Sequence, residues 1–271
     1  MDLDLHHIAA FARDLSLRAG DLIGIERDNH RLEVSHKRDV ELLTSADLKS
    51  EKLINAEIAK AFPDHLILAE EFSPELASDA DLEQPLWIVD PIDGTVNYAY
   101  GHHQVAVSIA FAYGGQMRVG VVHCPFQNET FTAIEGGSAE LNDAPIHVSQ
   151  ETTLRRALIG TGFSYERPQL ELDMRRLHAV LHHCRDMRRI GSAAIDICWV
   201  GAARLEGYYE TLNLWDLAAG LLIARQAGAH VGHLGEVPAN IPPDLYGKDL
   251  VVAAPAIYDN LVDILRQASA Q

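Results

Sequence analysis

The segment Trp87-Ile88-Val89-Asp90-Pro91-Ile92-Asp93-Gly94-Thr95 constrains this chain more than any other. Its apolar start has the unbroken hydrophobicity of a strand buried on both faces, which needs packed material above and below its sheet. The strand then presents two aspartates three positions apart, with Pro91 expected to stop it and Gly94 to permit a tight turn. Carboxylates held this close repel unless they are protonated or neutralised, and a divalent cation neutralises them most directly. Beyond the turn, free N–H groups of Gly94 and Thr95 suit a phosphate.

An Asp-Gly pair alone is an ordinary chain reversal. Its weight comes from acids elsewhere. A second apolar run, Leu66-Ile67-Leu68-Ala69, ends on Glu70-Glu71, and Asp216 precedes the apolar stretch Leu217 to Ala227, where it would also suit a helix N-cap. Asp47, Glu70, Asp90, Asp93 and Asp216 all fall at the ends of predicted elements, where ligands converge.

Around these positions the patterning predicts a helix over residues 5–24, ending near Gly20 or Gly24, and a short strand from Val40 to Leu43. Thr44 or Ser45 then caps a helix that runs to Pro63. Val105 to Val148 reads as an antiparallel meander. The remainder alternates: strands near Ala157–Gly160, Met187–Ile190 and Leu205–Tyr209, with helices over Gln169–Cys184, Ala193–Ala203 and Leu217–Ala227. An α+β half, residues 1–150, is therefore expected to pack closely on an α/β half, residues 151–271.

With 22 Lys and Arg against 39 Asp and Glu among 271 residues, the net charge of −17 disfavours a nucleic-acid partner. The nearest basic cluster is Arg185 with Arg188-Arg189, a pair that suits a substrate contact, a subunit contact or a strand edge. The longest apolar stretch, Val105 to Tyr113, is far short of the roughly 20 residues of a membrane span. The acidic, amphipathic N-terminal segment does not resemble a signal peptide. Cys124, Cys184 and Cys198 form no CxxC pair, and a reducing, cytoplasmic setting is expected.

Taken together, Asp90-Pro91-Ile92-Asp93-Gly94-Thr95, Glu70-Glu71, Thr44-Ser45-Ala46-Asp47, Gly191-Ser192-Ala193-Ala194 and Trp215-Asp216-Leu217-Ala218-Ala219-Gly220 resemble the inositol monophosphatase family of magnesium-dependent, lithium-sensitive phosphatases. The similarity runs from about Ile8 to Leu265. It implies a layered αβαβα sandwich and a homodimer. It implies that Glu70, Asp90 and the carbonyl of Ile92 hold one Mg²⁺, that Asp90, Asp93 and Asp216 hold a second, and that Glu70 helps with a weaker third. Asp47 and Thr95 would orient and activate the attacking water. Glu210 and the Gly191-Ser192-Ala193 backbone match positions that meet substrate hydroxyls, alongside Asp93, Gly94, Thr95 and Asp216.

Other chemistries fit less well. The haloacid-dehalogenase phosphatases place their two aspartates two apart rather than three. His178, His182 and His183 have helical spacing but lack the acid of a zinc protease and are read as surface residues. Cys198, Trp87, Trp199 and Trp215 are read as packing residues. Departures from the family pattern fall at Gly101-His102-His103-Gln104, His36-Lys37 and Thr211-Leu212-Asn213-Leu214, none of them a proposed metal ligand. The expected activity is hydrolysis of a small polyol phosphate, first of all myo-inositol 1-phosphate. Fructose 1,6-bisphosphate, histidinol phosphate and 3′-phosphoadenosine 5′-phosphate are the rival substrates, and a regulatory, RNA-associated relative is the rival from another class.

Overall fold

The computed structural model describes residues 3–29, 33–38, 41–73, 75, 78–164 and 167–270. Helix α1 (Leu5–Asp28) is capped by Asp4, whose carboxylate accepts the His7 N–H at 3.0 Å. It buries Ile8, Ala12, Leu15, Ala19 and Ile23, the spacing of one helical face. The helix runs through Gly20 and Gly24 instead of ending there. At Gly20 a Cβ would stand 2.5 Å from the His123 ring, so this glycine permits close packing and is no terminator.

Strands β1 (Val34–Arg38) and β2 (Glu41–Thr44) form an antiparallel hairpin, and Val40, at the start of the expected strand, lies outside the described residues. Helix α2 (Ser45–Ala61) opens on a capping box: Thr44 is the N-cap, and Asp47 Oδ2 accepts the Thr44 N–H at 2.8 Å. Strands β3 (Leu66–Ala69) and β4 (Leu86–Asp93) are parallel neighbours. Contrary to expectation, Pro91 does not end β4. Pairing continues to Asp93 with a register shift between Asp90 and Asp93, because a bulge accommodates a residue that has no N–H to donate. Helix α3 (Thr95–Ala99) follows.

The meander consists of β5 (Ala106–Tyr113), β6 (Gln116–Cys124), β7 (Glu129–Ile134), β8 (Ala139–Leu141) and β9 (Ala144–Pro145), which complete a seven-stranded sheet in the order β3-β4-β5-β6-β7-β8-β9. After it come β10 (Leu158–Thr161), α4 (Arg167–His183), β11 (Asp186–Arg188), α5 (Ala193–Gly201), β12 (Gly207–Glu210) and α6 (Leu214–Gln226). Helix α6 begins before Asp216, so that Asn213 is the N-cap and Asp216 closes the capping box at 2.8 Å. Strands β13 (His230–His233) and β14 (Leu250–Ala253) and helix α7 (Pro255–Ser269) end the fold. The second sheet has five strands, β11-β10-β12-β14-β13.

Alternate residues of the buried central strands feed two cores. Trp87 and Val89 of β4 and Val107, Ile109 and Phe111 of β5 face α1 and α2, while Leu86, Ile88, Ala106, Ala110 and Ala112 face α5 and α6. The alanines let α6 approach closely. Gly120 of β6 completes that approach, since a Cβ there would stand 2.6 Å from the Ala219 carbonyl oxygen. The layers run α1/α2, seven-stranded sheet, α5/α6, five-stranded sheet, α4/α7, an αβαβα sandwich.

Candidate active site

One cleft of about 170 Å³ collects the ends of many elements. Glu70 follows β3, Asp90, Ile92 and Asp93 end β4, Gly94 and Thr95 open α3, Gly191, Ser192 and Ala193 lead into α5, Glu210 ends β12, and Asp216 lies in the first turn of α6. Every site residue expected from the sequence therefore lines this cleft except Asp47, which reaches it through Thr95.

Carboxylate oxygens of Asp90, Asp93 and Asp216 lie within 4.8 Å of one another. Asp90 and Asp93 are almost fully buried, at 1% and 6% exposure. Burial first, then the charges of Glu70 and its neighbours, pushes the Asp90 carboxyl well above the usual range, and Asp216 rises for the same reasons. Asp93 is pushed up to about 6 by burial, against the pull of three donors. Those donors are the Ser192 hydroxyl and the N–H groups of Ala193 (3.2 Å) and Ala194 (2.8 Å) at the start of α5. Ser192 and Ala193, expected to face substrate, thus turn their donors to Asp93.

All-oxygen, acidic donors of this kind fit a hard divalent cation. Asp90 Oδ1 also accepts the Ile92 N–H at 2.9 Å, which fixes its rotamer inside the bulge.

The Thr95 hydroxyl lies 3.3 Å from Asp47 Oδ1 and 3.2 Å from the Ile92 carbonyl oxygen. Asp47 Oδ2 is occupied by the backbone N–H and hydroxyl of Thr44, so the capping box of α2 also aims Asp47 at Thr95. The turn between them needs glycine. Gly94 has φ +94°, and a Cβ there would stand 2.9 Å from the Gln104 carbonyl oxygen and 3.0 Å from that of Gly191. The Asn97 amide donates to Gln104 and Ile190 carbonyls at 2.8 and 3.0 Å, tying this turn to the loop before α5.

Further acids, Glu210 and Asp196, line the same cleft. Tyr208 donates its hydroxyl to Glu210 Oε2, and burial raises the Glu210 carboxyl to about 7. Asp196, within the apolar run Ile195 to Val200, lines the cleft at 2% exposure, and no sequence signal beyond its place after Gly191-Ser192-Ala193-Ala194 marks it. Arg189 is the one cation among the described lining residues, while Arg188 turns outward to Asp186 at 2.7 Å.

The remaining candidates lie elsewhere. His178 and His182 are exposed and approach each other at 3.2 Å, His183 Nδ1 meets the Ala179 carbonyl at 2.8 Å, and among the described residues no third ligand joins them. The Cys198 side chain is fully buried, as are Cys124 and Trp87, in the hydrophobic cores.

Comparison with known proteins shows the family of the chain. Residues 4–270 match the model of the inositol monophosphatase family. The chain is 36% identical over 255 residues to Nus factor SuhB of Pasteurella multocida, covering 91% of each protein. It is 39% identical over 231 residues to inositol monophosphatase 1 of Solanum lycopersicum, covering 83% of each. Among solved structures, the extragenic suppressor protein SuhB of Bartonella henselae superposes with a TM-score of 0.87 at 31% identity, covering 96% of this chain and 99% of that one. With sequence and fold in agreement over nearly its whole length, the chain belongs to the inositol monophosphatase family.

Proposed function

We propose that this protein is a Mg²⁺-dependent phosphomonoesterase that hydrolyses a small polyol phosphate, with myo-inositol 1-phosphate as the leading substrate. The observation that carries the reading is the convergence of Asp90, Asp93 and Asp216 oxygens within 4.8 Å, beside a Thr95 hydroxyl backed by Asp47.

Glu70, Asp90 and the Ile92 carbonyl would hold one cation, Asp90, Asp93 and Asp216 a second, and Glu70 would assist a third. Bound Mg²⁺ would neutralise these acids and stabilise the charge that develops on the attacking and leaving oxygens. The Thr95 hydroxyl donates a hydrogen bond to Asp47, which leaves its oxygen lone pairs to orient the attacking water. Asp47, fully buried and anchored by Thr44, stands ready to take up the proton that the water loses as its oxygen bonds to phosphorus. The ester P–O bond breaks on the opposite side, and the departing alkoxide takes a proton from solvent water. The N–H groups at Gly94 and Thr95 suit the phosphate oxygens, and Glu210 offers an acceptor to hydroxyls of the leaving group.

Phosphate release from myo-inositol 1-phosphate tests the reading. It is expected to require Mg²⁺ and to be lost in Asp93→Asn; undiminished turnover in either condition rules the site out. Comparing kcat/KM with fructose 1,6-bisphosphate, histidinol phosphate and 3′-phosphoadenosine 5′-phosphate identifies the substrate. The same reading takes the enzyme to be a cytoplasmic homodimer, and sedimentation measures its assembly. Among the described residues, no helix is long and apolar enough to cross a membrane.

The name Nus factor carried by several relatives supports a second reading, a regulatory protein acting through RNA or protein contacts. RNA binding that persists in Asp93→Asn, together with no phosphate release from any ester by the wild type, would favour it.

A further inference from the structure

Helix α2 turns three buried polar side chains toward the cleft, and the chemistry above uses only one of them. Asp47, Ser50 and Glu51 are each at 0% exposure. Asp47 meets Thr95, and the Ser50 hydroxyl donates to the Pro91 carbonyl at 3.2 Å, inside the bulge that presents Asp90 and Asp93. Glu51 serves the turn after β3. Its Oε2 accepts the Glu71 N–H and its Oε1 accepts the Phe72 N–H, both at 2.7 Å, and the Asn55 amide adds a bond to Oε1 at 3.2 Å.

The turn that Glu51 fills is the one that carries Glu70. Its mouth is closed by paired hydrogen bonds between Ala69 and Ser73, at 2.9 and 3.2 Å. Between these two ends, the peptides on the C-terminal side of Glu70 are fixed by the Glu51 carboxylate. We propose that Glu51 is a positioning residue for Glu70, holding its backbone so that the Glu70 side chain stays at the acidic cleft.

Two backbone donors bound to one buried acceptor make this arrangement sensitive. Without the carboxylate, both N–H groups would be left unpaired, a costlier state than one in which the peptides rotate toward water. That rotation would carry Glu70 with it. Residues that orient metal ligands typically alter metal affinity by about 10- to 100-fold when removed. The proposal rests on the reading of the cleft as a metal site.

Calorimetric titration of Mg²⁺ into the full chain tests it without relying on turnover. Glu51→Ala is expected to weaken Mg²⁺ binding by about 10- to 100-fold. Glu51→Gln should weaken it less, because one acceptor oxygen remains, and it also serves if the alanine variant fails to fold. In a Glu70→Gln background Glu51→Ala should add nothing, since its effect passes through Glu70. Ile58→Ala, a fully buried position on the same helix, supplies a destabilised control whose Mg²⁺ affinity should match the wild type. The proposal is overturned if the Glu51 variants bind Mg²⁺ like the wild type, if Ile58→Ala weakens binding equally, or if the loss persists in full on Glu70→Gln. Wild-type protein that takes up no Mg²⁺ overturns the metal-site reading as well, and so marks that failure apart from the others.

Discussion

Ser192 donates its hydroxyl to Asp93 Oδ2 from ninety-nine positions further along the chain, and the Ala194 N–H reaches the same oxygen at 2.8 Å. The start of α5 thus holds the end of β4, joining the two halves of the chain at the cleft. Burial outweighs these donors and pushes the Asp93 carboxyl up to about 6. Ser192→Ala removes a hydrogen bond to the charged form, a change worth about 1.5–3 kcal/mol. The acid limb of the kcat/KM profile should move to higher pH, with activity at pH 7 falling about 2- to 15-fold. Ser192→Thr keeps the hydroxyl and should retain most of the activity. An unmoved acid limb in Ser192→Ala would count against ionisation of Asp93 as a requirement for activity.

Without cations, the cleft should make stability fall as pH rises. Asp90, Asp216 and Glu210 are all raised by burial, Glu210 to about 7, whereas unfolded carboxyls titrate near 4. Between those values the folded protein binds more protons than the unfolded chain. Its stabilising contribution is full below about pH 4 and is lost as pH rises through 6 and 7. The acids lowered by arginine, such as Asp143 and Asp186, act in the opposite sense but below pH 4. Calorimetry in EDTA should therefore give a lower Tm at pH 7.5 than at pH 5, and excess Mg²⁺ should remove the decline. A Tm in EDTA that climbs over this interval would contradict the assignment.

The parts of this site legible in sequence are those whose cause is local. The paired acids Asp90 and Asp93, the turn glycine at 94 and the helix cap at Thr44 each lie within a few residues, whereas the bulge that carries β4 past Pro91 does not show in the sequence. Strand β4 could be placed because burial on both faces leaves an unbroken apolar run. Asp196 and Glu51 were not legible as site residues. The first is hidden in an apolar helix, and the second reads as a polar position of α2 whose partners lie twenty positions away. Gly20 misled for the same reason: a local rule makes it a helix end, whereas its cause is the His123 ring packed against it.

Thr95 and Asp47 form a pair whose effect should fall on turnover. Thr95→Ala leaves the acids of the cleft intact but deprives the attacking water of its orienting oxygen. General acid–base groups typically contribute about 10²- to 10⁴-fold, so kcat should fall within that range with KM little changed. Thr95→Ser restores the hydroxyl and should recover much of the rate. Asp47→Asn should resemble Thr95→Ala in kcat, and equal losses in kcat and Mg²⁺ affinity would indicate that the pair serves the metal site instead.

Glu210 should determine how the enzyme treats the leaving group. It accepts the Tyr208 hydroxyl, and it fits only because Gly162 has no side chain: a Cβ there would stand 2.1 Å from its carboxyl oxygens. Both Glu210→Gln and Gly162→Ala should therefore lower kcat/KM for a polyol phosphate, by about 10- to 100-fold, from the lost charge-assisted hydrogen bond. p-Nitrophenyl phosphate has no hydroxyl to offer and should be hydrolysed nearly as before. The wild-type profile with the polyol substrate should rise through pH 7 as Glu210 ionises, and Glu210→Gln should abolish that inflection. Equal losses on both substrates would make Glu210 a support of the fold and leave recognition of hydroxyls to other residues.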